Sequence, residues 1–284
     1  IDIEVSAEDG FPNIQSAASE VTAITVHDSV SQTYYVWGTG GYVPHDDTKQ
    51  ISYSECDDED EMIESFLLWW EHNYPHIITG WNCKFFDIPY LVNRIKYLDK
   101  KPARLSPIGL INDRNVFIAG KENQYYTIFG ISTLDYIDLY KKFTYKIRES
   151  YRLDYIGSVE LGLKKLEVGD VQGYDLYKTN YQKFIEYNIR DVEIVEKLEE
   201  KMKLLELVIT LAYESKINFE DVFSPVRTWD AIIYNFLKKN NVVIPPSQKQ
   251  DERKDIIGAY VKEPQAGLHK WVVSFDLNSL YPHL

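Results

Sequence analysis

Four carboxylates, Asp2, Glu4, Asp87 and Asp191, stand in three short segments distributed along most of the chain: Ile1-Asp2-Ile3-Glu4-Val5, Asn82-Cys83-Lys84-Phe85-Phe86-Asp87 and Tyr187-Asn188-Ile189-Arg190-Asp191. Each segment alone is a weak signal. Together they offer several hard oxygen ligands from different elements, which is what a pair of divalent cations requires. The chemistry such a pair supports is metal-assisted hydrolysis of a phosphodiester, with water as nucleophile. Tyr187 adds a phenol four residues before Asp191, on the same face of a helix. An unperturbed phenol titrates near ~10, so it is a poor base at neutral pH. It is better suited to orient an attacking water by a hydrogen bond.

These side chains need elements to position them. Asp2 and Glu4 alternate with Ile1, Ile3 and Val5, so on a strand both acids share one face and the β-branched residues share the other. Any amphipathic strand shows the same alternation. Residues 76–81 read as a buried strand. Asp87-Ile88-Pro89-Tyr90-Leu91-Val92 reads as the start of a helix, with Asp87 as N-cap and Pro89 in the first turn. Capping and metal ligation can coexist.

Around these motifs, residues 21–26 and 33–37 carry the strongest strand signals. Residues 58–73 predict an amphipathic helix with Met62, Ile63, Phe66, Leu67 and Trp70 at helical spacing. Asn112-Asp113-Arg114-Asn115 suggests a hairpin turn. Helices dominate from 138 to 215, the longest spanning 191–212 in residues of good helix propensity. Strands first, then mixed elements, predict an α/β fold with a central sheet flanked by helices. Pro245-Pro246 breaks a helix, 247–255 reads as a polar linker, and a boundary is placed near 220.

The three motifs resemble Exo I (Asp-x-Glu), Exo II (Asn-x3-Phe-Asp) and Exo III (Tyr-x3-Asp) of proofreading 3′–5′ exonucleases, the DEDD group on a ribonuclease H-like fold. Glu186 occupies the position where one subgroup carries histidine, and Tyr187 the tyrosine of the other. The chain thus resembles the tyrosine subgroup, which includes the exonuclease domains of family B DNA polymerases. Ser274-Phe275-Asp276-Leu277-Asn278-Ser279-Leu280-Tyr281-Pro282 is similar to motif A of that family, and Gly258–Pro264 to the segment joining exonuclease and palm. Thr133–Tyr140 and Phe223–Asp230 are similar to stretches of T-even-like bacteriophage replicative polymerases.

The resemblance implies a ribonuclease H-like exonuclease domain over 1–220, a linker and return segment to an N-terminal domain over 221–268, and the start of a polymerase palm over 269–284, with a strand at 270–276. It implies two Mg²⁺ or Mn²⁺ ions held by Asp2, Glu4, Asp87 and Asp191. DNA contacts fall to Phe86, Asn82 and Lys165, with Phe86 equally open to a core-packing role. In an intact polymerase Asp276 would bind catalytic metal and Tyr281 would lie beneath the incoming sugar. A chain that opens one residue before a ligand and stops after motif A, without a second palm aspartate motif, is expected to be a fragment that does not polymerise alone.

Net charge is −13, which sits poorly with strong phosphate binding. Much of the acid is local: Glu55, Asp57, Asp58, Glu59, Asp60, Glu61 and Glu64 crowd one helix start, where they favour the helix dipole and read as a solvated cap rather than a metal site. Hydrophobic content of 44% supports a sizeable core. No apolar run approaches the ~18 residues of a membrane span, no secretory leader opens the chain, and Cys56 and Cys83 follow no zinc spacing and read as reduced thiols. The expected setting is the cytoplasm of a phage-infected bacterium, with DNA, dNTPs and a sliding clamp as partners of the intact enzyme. Three rivals are carried: an inert structural fragment whose truncated strand and missing domains leave the site misassembled, a free-standing RNA nuclease of the same fold, and a catalytically inert truncated polymerase module that only binds DNA or accessory proteins. The motif A segment argues against the second.

Overall fold

The computed structural model describes residues 1–6, 10, 12–45, 48–118, 120–163, 173–244, 258 and 260–276. Four strands form the first sheet: β1 (Asp2–Val5), β2 (Val21–Asp28), β3 (Thr33–Gly38) and β4 (Gln50–Glu55), in that spatial order. The first two pairings are antiparallel and the β3–β4 pairing is parallel. Strand alternation divides the sheet into two faces. Ile3, Ile24 and Trp37, which pair across neighbouring strands, belong to one core cluster with Met62, Ile63, Phe66, Leu67 and Trp70 of α1 (Glu59–His72). The opposite face of the sheet holds Asp2, Glu4, Ala23, Thr25 and Val36. An irregularity between Glu4 and Val5 pairs Val5 with Val21, so both residues pack with the α1 cluster, as a bulge permits.

The acid run before α1 does more than face solvent. Asp58 caps the helix by accepting from the Glu61 N–H at 2.9 Å, and Glu61 accepts from the Asp57 N–H at 2.7 Å, a reciprocal cap. Glu59 turns inward and meets Arg94, whose side chain is 4% exposed. Arg94 also donates to the carbonyls of Ala17 and Ala18, and Glu59 accepts from the Val21 N–H. One buried ion pair therefore ties α1, the approach to β2 and the helix that bears Arg94.

That helix is α2 (Asp87–Tyr97), which follows β5 (Ile77–Ile78). Its N-cap position falls on Phe86, without a side-chain cap. Asp87 is one residue further in and is not the cap; its carboxylate is engaged elsewhere, by the Ile3 N–H. The hairpin is present but displaced from its expected position. Residues 112–115 lie inside β6 (Ile111–Ile118), which pairs with β7 (Lys121–Ile128) from Ile111↔Ile128 to Ile118↔Lys121. The positive-φ residue at its tip is Gly120, whose freedom at that angle suits a tight turn better than the Asn-Asp-Arg-Asn run does. β8 (Ser132–Thr133) pairs parallel with β5.

Helices follow: α3 (Tyr136–Phe143), α4 (Leu153–Leu161), α5 (Gly173–Thr179), α6 (Tyr181–Met202), α7 (Leu204–Ser215) and α8 (Pro225–Lys239). The expected 191–212 helix is divided at Lys203, which adopts φ +53; its left-handed backbone ends one helix and starts the next. Phe184, Ile185, Ile189 and Val192 of α6 cover the second sheet face with Ala23, Tyr34 and Val36. Ile194, Val195 and Leu198 turn to a third cluster with α3, α4 and α7.

The chain divides into two compact units, residues 1–242 and 243–284. In the second, the described residues form no helix or strand, including 270–276, where a strand was expected. Val272, Val273 and Phe275 are exposed, and among the described residues that segment has no neighbouring strand with which to form a β-ladder. Among the described residues no helix is long and apolar enough to cross a membrane. Cys56 and Cys83 are buried free thiols.

Candidate active site

The two acids of β1 project from the sheet face that α6 covers, and this brings the first and third motifs together. One carboxylate oxygen from each of Asp2, Glu4 and Asp191 lies within 4.8 Å of the others. At such a separation two like charges repel by about 3 kcal/mol at an effective dielectric near 20. The carboxyls respond accordingly. Burial, and next the Asp191 charge, push Asp2 up to about 8. Burial and then Asp2, Asp191 and Asp87 hold Glu4 well above the carboxylate range. Three hard oxygen donors whose charges oppose one another fit a divalent cation, which removes that opposition and matches the oxygen-only donor set.

Asp87 lies beside this trio. Its Oδ1 accepts the Ile3 N–H at 2.9 Å, linking the start of α2 to the middle of β1. It is 3% exposed. Burial and then Asp2 raise its pKa strongly, and its charge acts on Glu4 in turn.

The residues that follow β5 pack closely against the start of β1. The Ile1 nitrogen donates to the Thr79 carbonyl at 2.9 Å. A Cβ on Gly80 would stand 2.5 Å from the Ile1 carbonyl oxygen and 2.9 Å from Cys83 Cβ, so only glycine permits the approach.

Tyr187 joins the group as the sequence suggested. Burial, then the charges of Asp191, Glu4 and Asp2, and a hydrogen bond to Asp191 raise its phenol well above the ordinary value. The raised value favours the protonated phenol, which donates to Asp191.

The remaining candidates divide. Asn82 is exposed, with φ +68, a conformation that asparagine tolerates. Its carbonyl accepts from the N–H groups of Phe85 and Phe86. Phe86 is half-buried against the α1 cluster and lies 5.9 Å from the Tyr90 ring at 28°. Asp276 is exposed in the second unit. Lys165 and Tyr281 lie outside the described residues.

Three residues that the motifs do not single out support the site. Asn188 is fully buried and donates from Nδ2 to Asp2 Oδ2 at 2.7 Å, while its Oδ1 accepts from the hydroxyl of buried Thr25. The signal for Asn188 was present: it is a polar residue within the apolar stripe Phe184, Ile185, Ile189, Val192. Thr25 could be found only from the strand register, which sets it opposite Asp2. Asp135, the N-cap of α3, accepts from the N–H groups of Asn82, Lys84 and Ile137 at 2.9–3.1 Å. It suspends the second motif's loop from α3, and burial pushes its carboxyl up to about 6 against those three donors.

A profile described as "DNA polymerase family B, exonuclease domain" matches residues 1–156. The chain is similar to the "DNA-directed DNA polymerase" of Escherichia phage RB69, with 40% identity over 313 residues, and to that of Enterobacteria phage T4, with 35% over 308; each alignment covers 100% of this chain and 34% of the relative. It is also similar to the "DNA polymerase delta catalytic subunit" of Candida albicans, at 27% identity over 80% of this chain and 23% of that protein. The chain thus spans about a third of the length of the phage relatives.

Proposed function

Because the chain belongs to DNA polymerase family B and carries that family's exonuclease domain, we propose that it removes 3′-terminal nucleotides from single-stranded or mispaired DNA by hydrolysis. The observation that carries this reading is the convergence of Asp2, Glu4 and Asp191 within 4.8 Å, with Asp87 and a protonated Tyr187 alongside. We take residues 1–220 as the proofreading domain of the tyrosine DEDD subgroup, 221–268 as a linker and return segment, and 269–284 as the start of a polymerase palm.

In this reading Asp2, Glu4, Asp87 and Asp191 hold two divalent cations, Mg²⁺ or Mn²⁺. When bound, these supply a water nucleophile at neutral pH and neutralise charge on the scissile phosphate. The chain's own groups do the rest. Tyr187 donates to Asp191 and stands where a phenol can orient the attacking water. Ile3 fixes the rotation of Asp87 by occupying Oδ1. Phe86 would offer its aromatic face for stacking by the terminal bases, and Asn82 and Lys165 would contact the strand. Phosphate contact and stacking carry no base code, so hydrolysis is sequence-independent.

In the full-length protein, Asp276 would bind metal for polymerisation and Tyr281 would sit under the incoming dNTP. Its further partners would be primer–template DNA and a sliding clamp, in the cytoplasm of an infected bacterium.

The test is stepwise shortening of a 5′-labelled single-stranded DNA oligomer with Mg²⁺ or Mn²⁺. Shortening that disappears with EDTA and in Asp2→Ala/Glu4→Ala is expected. Metal-independent DNA binding by a folded chain without turnover would favour the inert-module reading instead.

A further inference from the structure

Asp2 is gripped from behind by two buried side chains. Thr25 stands directly across from it in the β1–β2 register, and its hydroxyl hydrogen-bonds Asn188 Oδ1; Asn188 Nδ2 then donates to Asp2 Oδ2 at 2.7 Å. Both residues are 0% exposed, so neither reaches a substrate. The direction of the chain follows from its end. An Asp2 carboxylate that holds a cation is ionised and only accepts, so the amide nitrogen must face it. The amide carbonyl must then face Thr25, whose hydroxyl donates. Thr25 thereby locks the Asn188 amide against a flip that would set oxygen against oxygen.

We propose that Thr25 and Asn188 are positioning residues that hold the Asp2 carboxylate in one rotation, so that it faces a cation shared with Glu4 and Asp191. The inference rests on the metal-dependent reading above and deepens it by naming the residues that orient one of the ligands. Donors behind a ligand fix its orientation and typically account for 10–100-fold in metal affinity.

The experiment measures Mn²⁺ binding by the electron paramagnetic resonance of the unbound ion, on the full chain. The variants are Asn188→Ala, Thr25→Val and Thr25→Ser, with Asp2→Ala as reference and circular dichroism as the folding check. Asn188→Ala is expected to lose Mn²⁺ affinity on the order of 10–100-fold. Thr25→Val should show a smaller loss, and Thr25→Ser should retain wild-type binding because it keeps the hydroxyl. Folded Asn188→Ala that binds Mn²⁺ like wild type, while Asp2→Ala does not, would overturn the positioning role and leave the centre standing. Wild-type protein that binds no Mn²⁺, or Asp2→Ala that binds as well as wild type, would remove the centre and this inference together. Should Asn188→Ala fail to fold, the Thr25→Val and Thr25→Ser pair decides: a lowered melting temperature with unchanged Mn²⁺ affinity in Thr25→Val means packing alone and overturns the relay.

Discussion

Replacing Asp2 with asparagine is expected to stabilise the metal-free protein while abolishing its stabilisation by divalent cations. Burial and then Asp191 hold the Asp2 carboxyl up to about 8, against an ordinary 3.8. Between those values the folded chain keeps a proton that the unfolded chain has released, so stability falls as pH rises from 3.8 toward 8. One pH unit is worth about 1.36 kcal/mol. At pH 7 the penalty for Asp2 is therefore on the order of 4 kcal/mol, reduced to the extent that Glu4 and Asp191 readjust their own protonation. Asparagine keeps the shape and still accepts from Asn188 Nδ2, but has nothing to ionise. Urea unfolding in EDTA should show Asp2→Asn more stable than wild type by roughly 1–4 kcal/mol near pH 7, with the two curves converging near pH 4. Adding Mg²⁺ should raise the midpoint of the wild type and leave the variant where it was, since only a species that binds the folded state stabilises it. If Asp2→Asn is no more stable than wild type anywhere between pH 4 and 8 in EDTA, the reasoning from burial and mutual repulsion is wrong.

Three further outcomes can be checked on the same footing. Burial opposes charge on Glu193, yet hydrogen bonds from Lys197, Arg190 and Lys49 hold it down to about 2 from 4.5; the stabilisation is present above 4.5 and disappears as pH falls toward 2. Glu193→Gln should therefore flatten the acid limb of a melting-temperature profile, by no more than about 3 kcal/mol at neutral pH. Arg94→Met strands the inward-turned Glu59 carboxylate and should cost about 3–5 kcal/mol in urea unfolding. Adding Glu59→Gln should cost less than the sum of the single changes, the mark of a coupled pair. Gly80→Ala forces a methyl against the Ile1 carbonyl; about 1–3 kcal/mol of destabilisation is expected, together with weaker Mn²⁺ binding because β1 is displaced.

The site was legible where chemistry and spacing coincide, and obscure where tertiary register decides. Asp2 and Glu4 announced their common face by alternation, and the Tyr187–Asp191 spacing announced theirs. The strands at 21–28 and 33–38 and the helix at 59–72 followed from hydrophobic period. Thr25 gave no sign, because its importance lies in what the neighbouring strand sets opposite it. Asp87 was read as a cap from its place before Pro89, but its long-range bond to Ile3 outcompeted a local one. The break at Lys203 was hidden among good helix formers, since nothing in Met202-Lys203-Leu204 resists continuation; Glu199 instead accepts from Leu205 and Glu206 and starts a new helix. Glu59 looked like its six acidic neighbours in sequence, and only the arrival of Arg94 set it apart.

The bond between Asn188 and Asp2 spans a sequence separation of 186 residues, and this bears on the timing of synthesis. Three of the four acids sit on β1 and α2, which are made before α6 brings the fourth. At roughly 5–20 residues per second, about 10–40 seconds separate translation of the first acid from that of the last. Until α6 is made, the sheet face that bears Asp2 and Glu4 has no covering helix. On the proposed reading a nascent chain would be unable to cut nucleic acid, and that capacity would arise only when long-range closure, a step slowed by its loop entropy, brings α6 onto the sheet.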